Sequence, residues 1–247
     1  MMSKIAVITG ATSGIGFSVA LELGHAGYDV VISGIVDDQG AQAVKDLESE
    51  GIKAEYVSCN ATDENSVNEF ISYVGEKYGK IDVLINNVGG LGGRMRFDGM
   101  TTEFYRNVMA LNLDSVFFAS RAAIPYLKKS DDASIINYAS IASYNAGGPG
   151  AGIYGTSKGA VLTMTRALAK DLAEYSIRVN AVSPGTIDTA FHAATNRDII
   201  EGWKAGILMG RLGEPSEVAQ VIEFLVSKKA SFLTGEVIQI NGGQDFR

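Results

Sequence analysis

The chain has 247 residues, 46% hydrophobic and 20% charged, and a chain of this length can bury a large apolar core without cross-links. Its formal net charge of −7 argues against a general nucleic-acid binder, because such a protein needs a basic surface that neutralises phosphates. The single cysteine, Cys59, excludes an internal disulfide framework and a structural zinc site built from cysteines.

The sequence also predicts no membrane contact and no metal site. No stretch approaches the roughly 20 apolar residues that cross a bilayer, and the first ten residues lack a signal-peptide pattern. We therefore expect a cytoplasmic protein. Of the two histidines, His192 has no partner four residues away and His25 lies in a predicted surface helix, so neither is expected to bind a metal.

Short runs rich in β-branched residues alternate along the chain with stretches of helical periodicity. The runs are almost continuously apolar, which is typical of strands in a parallel sheet that is covered on both faces. The predicted strands are Lys4–Thr9, Asp29–Ser33, Lys53–Ser58, Ile81–Ile85, Ser134–Tyr138, Ile177–Val182 and Glu236–Ile240.

Between these strands, apolar residues recur every three or four positions, as expected for helices with one buried face. Asp63–Glu64 and Glu214–Pro215–Ser216 are start signals for two of the helices. The repeated strand–helix order predicts an α/β fold: a doubly wound parallel sheet (Rossmann fold) of about seven strands with helices on both faces. No linker or low-complexity segment divides the sequence, so residues 1–247 are expected to form a single domain.

A glycine-rich segment, TGATSGIG (Thr9–Gly16), follows the first predicted strand and opens the first helix. Glycines permit a tight turn and a close backbone approach, and the N-terminus of the helix favours an anion. The spacing is G-x-x-x-G-x-G, which differs from both the usual dinucleotide fingerprint and the phosphate-binding loop of nucleotide triphosphatases. The position of the segment predicts that it binds the pyrophosphate of a dinucleotide.

Tyr154 and Lys158 are four residues apart and therefore share one face of a helix. An ammonium group close to a phenol favours the phenolate and lowers the pKa of the tyrosine, so the pair is a candidate general acid and base. Upstream, Ser140 and Asn86–Gly90 follow two predicted strands. In a doubly wound sheet, ligands bind at these carboxyl ends of the strands.

Together these motifs resemble the short-chain dehydrogenase/reductase family, and they occur in the family's order over nearly the whole chain. They are TGATSGIG, NNVGG (Asn86–Gly90), Asn112 in LNLDSVF, Ser140, YGTSK (Tyr154–Lys158), RVNAVSPGTIDT (Arg178–Thr189) and LTGEVIQINGG (Leu233–Gly243).

The resemblance implies transfer of a hydride between a nicotinamide cofactor, NAD(H) or NADP(H), and a small-molecule carbonyl or alcohol substrate. Tyr154 would exchange the proton with the substrate oxygen, and Lys158 would lower the pKa of Tyr154 and bind the nicotinamide ribose. Ser140 would hold the carbonyl oxygen, and Asn112 would hold a water molecule that relays protons. The resemblance also implies a homotetramer or a homodimer.

Further positions are expected by resemblance to contact the cofactor. They are Gly10, Thr12, Ser13, Ile15 and Gly16 at the pyrophosphate and adenosine ribose, Gly34 and Ile35 after the second strand, Asn60 and Ala61 at the adenine, Asn87 and Gly89 at a ribose, and Pro184, Gly185, Ile187 and Thr189 at the nicotinamide.

The sequence departs from the family pattern at several positions. Val88 replaces an alanine, Asn60 replaces a common aspartate, and Ser140 and Tyr154 are 14 residues apart rather than about 13, so the loop between them is expected to bulge. Gly34 replaces the acidic residue that is usual in NAD-dependent members.

The sequence also lacks the basic residues that often bind the 2′-phosphate of NADP. Ser13 in the glycine-rich segment and Ile35 after the second strand occupy their positions. Asp37 and Asp38 would repel that phosphate. The sequence therefore favours NAD(H) slightly, and a dual preference stays open.

Substrate recognition is the least determined property. Arg94 and Arg96 after the fourth strand, and His192 after Thr189, are candidates for binding an acidic group, because guanidinium groups suit carboxylates. An oxo acid, an oxo sugar acid or a 3-oxoacyl thioester would fit them. Alternatively, the arginines are solvated loop residues.

Two other functions are weighed. Gly155–Gly159 matches the G-x-S-x-G pattern of hydrolases, with Ser157 as the nucleophile. This pattern requires a strand-to-helix turn, whereas the segment reads as the beginning of a helix. A nucleotide-binding regulator without catalysis is the other alternative, although such proteins usually lack the tyrosine or the lysine.

Overall fold

A computed structural model describes residues 3–189 and 197–247, without the side chain of Arg197. In this part of the chain, seven strands form one sheet in the order β3-β2-β1-β4-β5-β6-β7, and every neighbouring pair is parallel. The strands are β1 (Lys4–Ile8), β2 (Tyr28–Gly34), β3 (Ala54–Ser58), β4 (Val83–Asn86), β5 (Ser134–Tyr138), β6 (Arg178–Pro184) and β7 (Val237–Ile240). The predicted fold class is confirmed.

Helices connect consecutive strands. They are α1 (Gly14–His25), α2 (Asp37–Ser49), α3 (Glu64–Tyr78), α4 (Thr102–Met109), α5 (Ser115–Leu127), α6 (Ala142–Asn145), α7 (Gly152–Asp171), α8 (Arg197–Ala205) and α9 (Pro215–Val226). A π-helical turn, Ala110–Asp114, joins α4 to α5. No described helix is long and apolar enough to cross a membrane.

The two faces of the sheet bury separate apolar cores. Alternate residues of β1 point to opposite faces: Ala6 and Ile8 pack with residues of α1, α2 and α9, whereas Ile5 and Val7 pack with residues of α3, α5 and α7. Because both faces are covered, the central strands consist almost entirely of buried residues.

The two predicted start signals have the expected geometry. The Asp63 carboxylate caps α3 by accepting hydrogen bonds from the backbone N–H groups of Asn65 (2.8 Å) and Ser66 (3.3 Å). Pro215 is the first residue of α9, and Glu214 and Glu217 form a reciprocal capping box around it.

The order of the strands determines where a ligand can bind. β1 lies between β2 and β4, so the chain winds outwards from β1 in both directions. In such sheets a crevice opens beyond the carboxyl ends of the two strands at which the order reverses. The glycine segment after β1 and the residues after β4 meet there.

Candidate active site

A cavity of about 300 Å³ lies at the carboxyl edge of the sheet. It brings together segments that follow β1, β4, β5 and β6. Its lining includes twelve of the predicted site residues, namely Ser13, Ile15, Gly16, Asn87, Gly89, Ser140, Tyr154, Lys158, Pro184, Gly185, Ile187 and Thr189.

The glycine loop is tightly turned, and two of its glycines are required by its geometry. Gly10 has a φ of +62°, which favours glycine. At Gly16, a Cβ atom would lie 2.9 Å from the Cα atom of Ala11 and 2.5 Å from the Asn87 amide nitrogen. The loop therefore closes so tightly that only a residue without a side chain fits at position 16.

Asn87 fixes this loop to β4. Its side-chain amide donates hydrogen bonds to the carbonyl oxygens of Thr9 (2.9 Å) and Gly10 (2.8 Å). Its backbone N–H donates to the Thr9 hydroxyl at 3.1 Å. Sequence reasoning assigned Asn87 to a ribose. In the structure its amide nitrogen holds the glycine loop, and the side chain still reaches the cavity wall.

Val88, the bulkier replacement for alanine, is accommodated by Gly10. A Cβ atom on Gly10 would lie 2.7 Å from the Val88 Cγ2 atom. The valine side chain therefore occupies the space that the glycine leaves free.

Lys158 and Asn112 meet at Gly89. The Lys158 ammonium is buried and donates a hydrogen bond to the Tyr138 carbonyl oxygen at 2.8 Å. A Cβ atom on Gly89 would lie 2.7 Å from the Lys158 Nζ atom and 2.9 Å from the Asn112 Oδ1 atom. Because Gly89 has no side chain, it leaves room for both groups.

The π-helical turn holds Asn112 in this position. Its side-chain nitrogen donates to the carbonyl oxygens of Gly90 (2.8 Å) and Val108 (3.0 Å), and its Oδ1 atom accepts from the Gly90 N–H (2.9 Å). Such wide turns inside helices are frequent at functional sites. Asn112 is fully buried and lies behind the residues that line the cavity.

Burial has the largest effect on the pKa values of Tyr154 and Lys158. The spacing of the two residues predicts instead that the charge of Lys158 sets the pKa of Tyr154. Burial raises the pKa of Tyr154, and a hydrogen bond with Ser140 lowers it only in part. Burial also lowers the pKa of Lys158 to about 8. The expectation that Lys158 lowers the pKa of Tyr154 is therefore not met by the chain on its own, because desolvation is the larger effect at both groups.

The loop between Ser140 and Tyr154 changes direction several times. It includes the short helix α6, and it then turns through Ala146 (φ +60°), Gly147 (φ +68°) and Gly150 (φ +80°). Ser140 begins this segment, and its hydroxyl accepts a hydrogen bond from the Ala142 N–H at 3.1 Å. That this loop bulges relative to other family members stays a prediction.

The end of β6 and the segment that follows it form another part of the wall, with Pro184, Gly185, Ile187 and Thr189 along the cavity. A Cβ atom on Gly185 would lie 2.9 Å from the Cα atom of Asn241. This wall is therefore packed directly against the chain that follows β7.

Several of the predicted site residues lie outside the cavity lining. Some of them follow β2 and β3, whose carboxyl ends are on the same side of the sheet as the cavity. Asn60 uses its side-chain oxygen locally, accepting from the Thr62 N–H (3.1 Å) and hydroxyl (2.8 Å). Ile35 is 74% exposed. The other predicted residues outside the lining are Gly10, Thr12, Gly34, Ala61 and Asn112.

The candidate substrate residues are also outside the main cavity. Arg94 donates a hydrogen bond from Nη1 to the Pro149 carbonyl oxygen at 3.1 Å, so it ties two loops together. Arg96 lines a separate, neighbouring groove. His192 lies outside the described residues. One nitrogen of the Arg94 guanidinium is thus used within the protein, and the role of the two arginines in binding an acidic group stays a prediction.

Sequence reasoning missed Gly90, Tyr138 and Ala139 as lining residues. Tyr138 and Ala139 directly precede Ser140 at the end of β5, so their position at the carboxyl edge was the available signal. Gly90 completes the NNVGG motif.

The hydrolase alternative does not fit the structure. Ser157 is completely buried inside α7, and its hydroxyl donates to the Tyr154 carbonyl oxygen at 2.7 Å. A nucleophile must instead be exposed on a strand-to-helix turn. Among the described residues, no group of three or more His, Cys, Asp or Glu side chains is arranged to hold a metal ion.

The residues at this edge fit a nicotinamide dinucleotide. The closed glycine loop at the start of α1 leaves backbone at a helix N-terminus, which favours a pyrophosphate. Lys158 and Tyr154 on α7 line the same cavity as this loop, together with Ile187 and Thr189.

Comparisons with known proteins agree with this site. A short-chain dehydrogenase/reductase model described as enoyl-(acyl carrier protein) reductase matches residues 10–245. The 3-oxoacyl-[acyl-carrier-protein] reductase FabG of Thermotoga maritima is 38% identical over 240 residues, which are 97% of each chain.

Two solved structures are similar over nearly the whole chain. The NADH-dependent reductase A1-R′ responsible for alginate metabolism has a TM-score of 0.91 and 34% identity, over 99% of this chain and 98% of that one. A blue fluorescent protein from a metagenomic library, in complex with NADPH, has a TM-score of 0.91 and 29% identity, over 98% of both chains. The chain therefore belongs to the short-chain dehydrogenase/reductase family, and it is a nicotinamide-dependent oxidoreductase of carbonyl and alcohol groups.

Proposed function

We propose that this oxidoreductase reduces a 3-oxoacyl thioester or a related oxo acid, with Tyr154 as the proton donor and residues 1–247 acting as one dinucleotide-binding and catalytic domain. The observation that carries the proposal is the convergence of Tyr154, Ser140 and Lys158 with the glycine loop on one cavity. The 3-oxoacyl group is supported by the substrate in the name of the Thermotoga maritima relative.

The nicotinamide, when bound, supplies the hydride for carbonyl reduction. The carbonyl oxygen gains negative charge during this step, and hydrogen-bond donors aimed at it stabilise that charge. Ser140 and Tyr154 both bring a hydroxyl group to the lining, and Ser140 is near enough to lower the pKa of Tyr154 in part. Because burial raises the pKa of Tyr154, the phenol holds its proton at neutral pH and can donate it to the oxygen.

Lys158 and Asn112 lie next to each other at Gly89, and we propose that both assist the proton donor Tyr154. Both contact Gly89, and the Lys158 ammonium bonds to the backbone directly before the Ser140 segment. We assign Lys158 to the ribose and Asn112 to a water molecule that resupplies the proton to Tyr154.

For the cofactor we favour NADH over NADPH. Asp37 is the first residue of α2, directly beyond the end of β2, and its negative charge repels a 2′-phosphate. A comparison of Michaelis constants for the two reduced cofactors tests this preference, and a strong preference for NADPH would contradict it.

Arg96 is our candidate for binding the acidic part of the substrate. It is exposed and lines the groove of Met95–Asp98 and Ala146–Gly152. These two segments continue from Gly90 and Ser140, which line the cavity, and Gly152 is two residues before Tyr154 on α7. Both segments of the groove are thus connected along the chain to residues that line the cavity.

Replacing Arg96 with glutamine is expected to raise the Michaelis constant for an anionic oxo substrate about tenfold, because a charge-assisted hydrogen bond contributes roughly 1.5–3 kcal/mol. The turnover number should change little, and a neutral ketone should be unaffected. The matched control is Arg166→Gln, on the exposed surface of α7. Equal effects on charged and neutral substrates would contradict this role.

We also propose a homotetramer or a homodimer. Large apolar side chains on α5, α9 and the segment before β7 are exposed, with Phe117 at 44%, Phe224 at 39% and Phe232 fully accessible. Apolar groups of this size in solvent favour contact with a second copy. Light scattering at micromolar concentration tests this, and a monomer would refute it.

The experiment that tests the reaction is a panel of carbonyl compounds assayed with both reduced cofactors. It contains 3-oxoacyl thioesters, oxo sugar acids, simple oxo acids, ketones and aldehydes. Oxidation of NADH with a 3-oxoacyl thioester or an oxo acid is the expected result. Binding of the cofactor without turnover of any carbonyl compound would revive the regulator alternative.

A further inference from the structure

The end of β2 carries glycine where NAD-dependent members usually have an acidic side chain, and a side chain at Gly34 would require Thr12 to move. A Cβ atom on Gly34 would lie 2.7 Å from the Thr12 Cγ2 atom and 3.6 Å from the Tyr56 ring. Thr12 and Tyr56 therefore fill the space beside Gly34, and any negative charge at this point must come from another residue.

Tyr56, on β3, brings such a charge to Gly34. Its hydroxyl lies 3.0 Å from the Gly34 carbonyl oxygen and 3.1 Å from the Asp37 Oδ1 atom, and it shares one proton between these acceptors. The Tyr56 ring packs directly against the backbone of α2, because a Cβ atom on Gly40 would lie 2.3 Å from it. Both the ring and the carboxylate are thus held in place.

The end of β2, to which Tyr56 links this carboxylate, contacts the glycine loop. The Ala11 N–H donates to the Ser33 carbonyl oxygen at 2.9 Å, and the Gly10 N–H donates to the Ser33 hydroxyl at 3.4 Å. The end of β2 is therefore bonded directly to the loop that we assign to the pyrophosphate. A ribose attached to that pyrophosphate would lie beside Thr12, Gly34 and Asp37.

We infer that Asp37, positioned by Tyr56, binds the 2′- and 3′-hydroxyl groups of the adenosine ribose and rejects a 2′-phosphate. This inference rests on the proposed function, and it assigns the preference for NADH to one carboxylate and one positioning tyrosine. A carboxylate accepts hydrogen bonds from a diol, whereas a phosphate at the same place brings two negative charges together.

Asp38 provides a matched control. Asp37 and Asp38 are both exposed in the first turn of α2, where either stabilises the helix through its macrodipole. If Asp37 acts only on the helix, replacing either residue has the same effect. A specific effect of Asp37 separates ribose binding from this purely structural role.

The test measures dissociation constants by calorimetry for NADH, NADPH, ADP-ribose and 2′-phospho-ADP-ribose. The wild type is compared with Asp37→Asn, Tyr56→Phe and Asp38→Asn. Asp37→Asn should reduce the ratio of NADH to NADPH affinity about tenfold or more. The variant removes a charge-assisted hydrogen bond to the ribose of NADH, and it also removes the repulsion of the 2′-phosphate of NADPH. Tyr56→Phe should shift the ratio in the same direction by a smaller factor, and Asp38→Asn should leave it within about twofold.

The two nicotinamide-free probes should show the same changes, because the effect belongs to the adenosine end. If Asp37→Asn and Asp38→Asn change the ratio equally, or if Asp37→Asn does not change it, the inference is overturned while the proposed reaction stands. If the wild type binds neither dinucleotide, the proposed function fails as well.

Tyr56→Phe also separates positioning from binding. Phenylalanine keeps the ring against α2 and removes only the hydroxyl that contacts Asp37. An unchanged ratio in this variant, together with a changed ratio in Asp37→Asn, would show that Asp37 acts without Tyr56 and would overturn the positioning role.

Discussion

At the scale of single residues, burial controls the chemistry of the site. It raises the pKa of Tyr154 and lowers the pKa of Lys158 to about 8, in each case by disfavouring the charged form. The tyrosine therefore carries a proton at neutral pH, which suits a donor in carbonyl reduction. Keeping the buried lysine charged at neutral pH lowers the free energy of unfolding, so it destabilises the folded protein.

This destabilisation predicts a pH dependence of stability. The pKa of Lys158 falls from 10.5 in the unfolded chain to about 8 in the folded protein. Between these values the unfolded chain binds more protons, so the free energy of unfolding rises with pH. Relative to Lys158→Met, the wild type should gain about 3 kcal/mol between pH 7 and pH 10.5, at roughly 1.4 kcal/mol per pH unit.

Urea unfolding of both proteins at several pH values measures this difference. The variant is the reference for all other titrating groups, which the two proteins share. A difference in unfolding free energy that is independent of pH across this window would contradict a buried, destabilised ammonium.

The residue scale also shows what a sequence can reveal. The spacing of Tyr154 and Lys158 on one helix, and the position of Ser140 after a strand, predicted residues that do line one cavity. The burial that raises the pKa of Tyr154 could not be predicted from the spacing of two residues, because it depends on all the elements that surround them. The hydrogen bond from Arg94 to the Pro149 carbonyl oxygen could not be predicted either, because the two residues are 55 positions apart in the sequence.

At the scale of elements, the glycine loop and α1 form one unit with the end of β4. Gly16 lies inside α1, where alanine would ordinarily be favoured by about 1 kcal/mol. Here a Cβ atom would meet the Ala11 backbone and the Asn87 amide. The clash outweighs the helical preference, because the Ala11 backbone cannot move without opening the loop.

Gly16→Ala should therefore distort the glycine loop and lower the affinity for NADH at least tenfold. A tenfold loss corresponds to about 1.4 kcal/mol of binding free energy. The control is Gly202→Ala, since Gly202 lies inside α8 and a Cβ atom added there would have no neighbouring atom within 4 Å among the described residues. It should keep its affinity and gain stability. Calorimetric titration of both variants checks this, and normal NADH binding by Gly16→Ala would contradict the tight loop.

Most elements could be predicted because they are periodic. All seven strands were predicted from their apolar runs, and the helix starts at Asp63 and Glu214 from their capping residues. The π-helical turn around Asn112 could not be predicted, because its residues continue the pattern of α4 and α5. The turn is stabilised instead by contacts of Asn112 with Gly90, which is distant in sequence.

At the scale of the whole molecule, the carboxyl edge of the sheet differs from the opposite edge in what it contributes. The carboxyl edge carries the cavity, whereas polar contacts at the opposite edge hold the strands and helices together. There Arg178, at the start of β6, donates to the carbonyl oxygens of Leu225 (2.6 Å) and Ala230 (3.1 Å) at the end of α9. Asp82 is buried nearby and accepts from the Ile5 N–H (2.7 Å) and from Lys80 (2.8 Å).

This division follows from parallel strands, which place all their carboxyl ends on one side. Sequence could therefore predict which edge carries function. It could not predict which loop residues face the substrate, because the loops after β4 and β5 are positioned by each other, as in the bond from the Met95 N–H to the Gly150 carbonyl oxygen at 3.0 Å.

The central claim is that the Tyr154 phenol gives its proton to the substrate oxygen beside a bound nicotinamide. The most direct measurement compares Tyr154→Phe with the wild type in a single-turnover reduction and in calorimetric binding of NADH. The account predicts a rate that is about 10²- to 10⁴-fold lower, the usual contribution of a positioned general acid, with NADH affinity nearly unchanged. Reduction at the wild-type rate by the phenylalanine variant would contradict it.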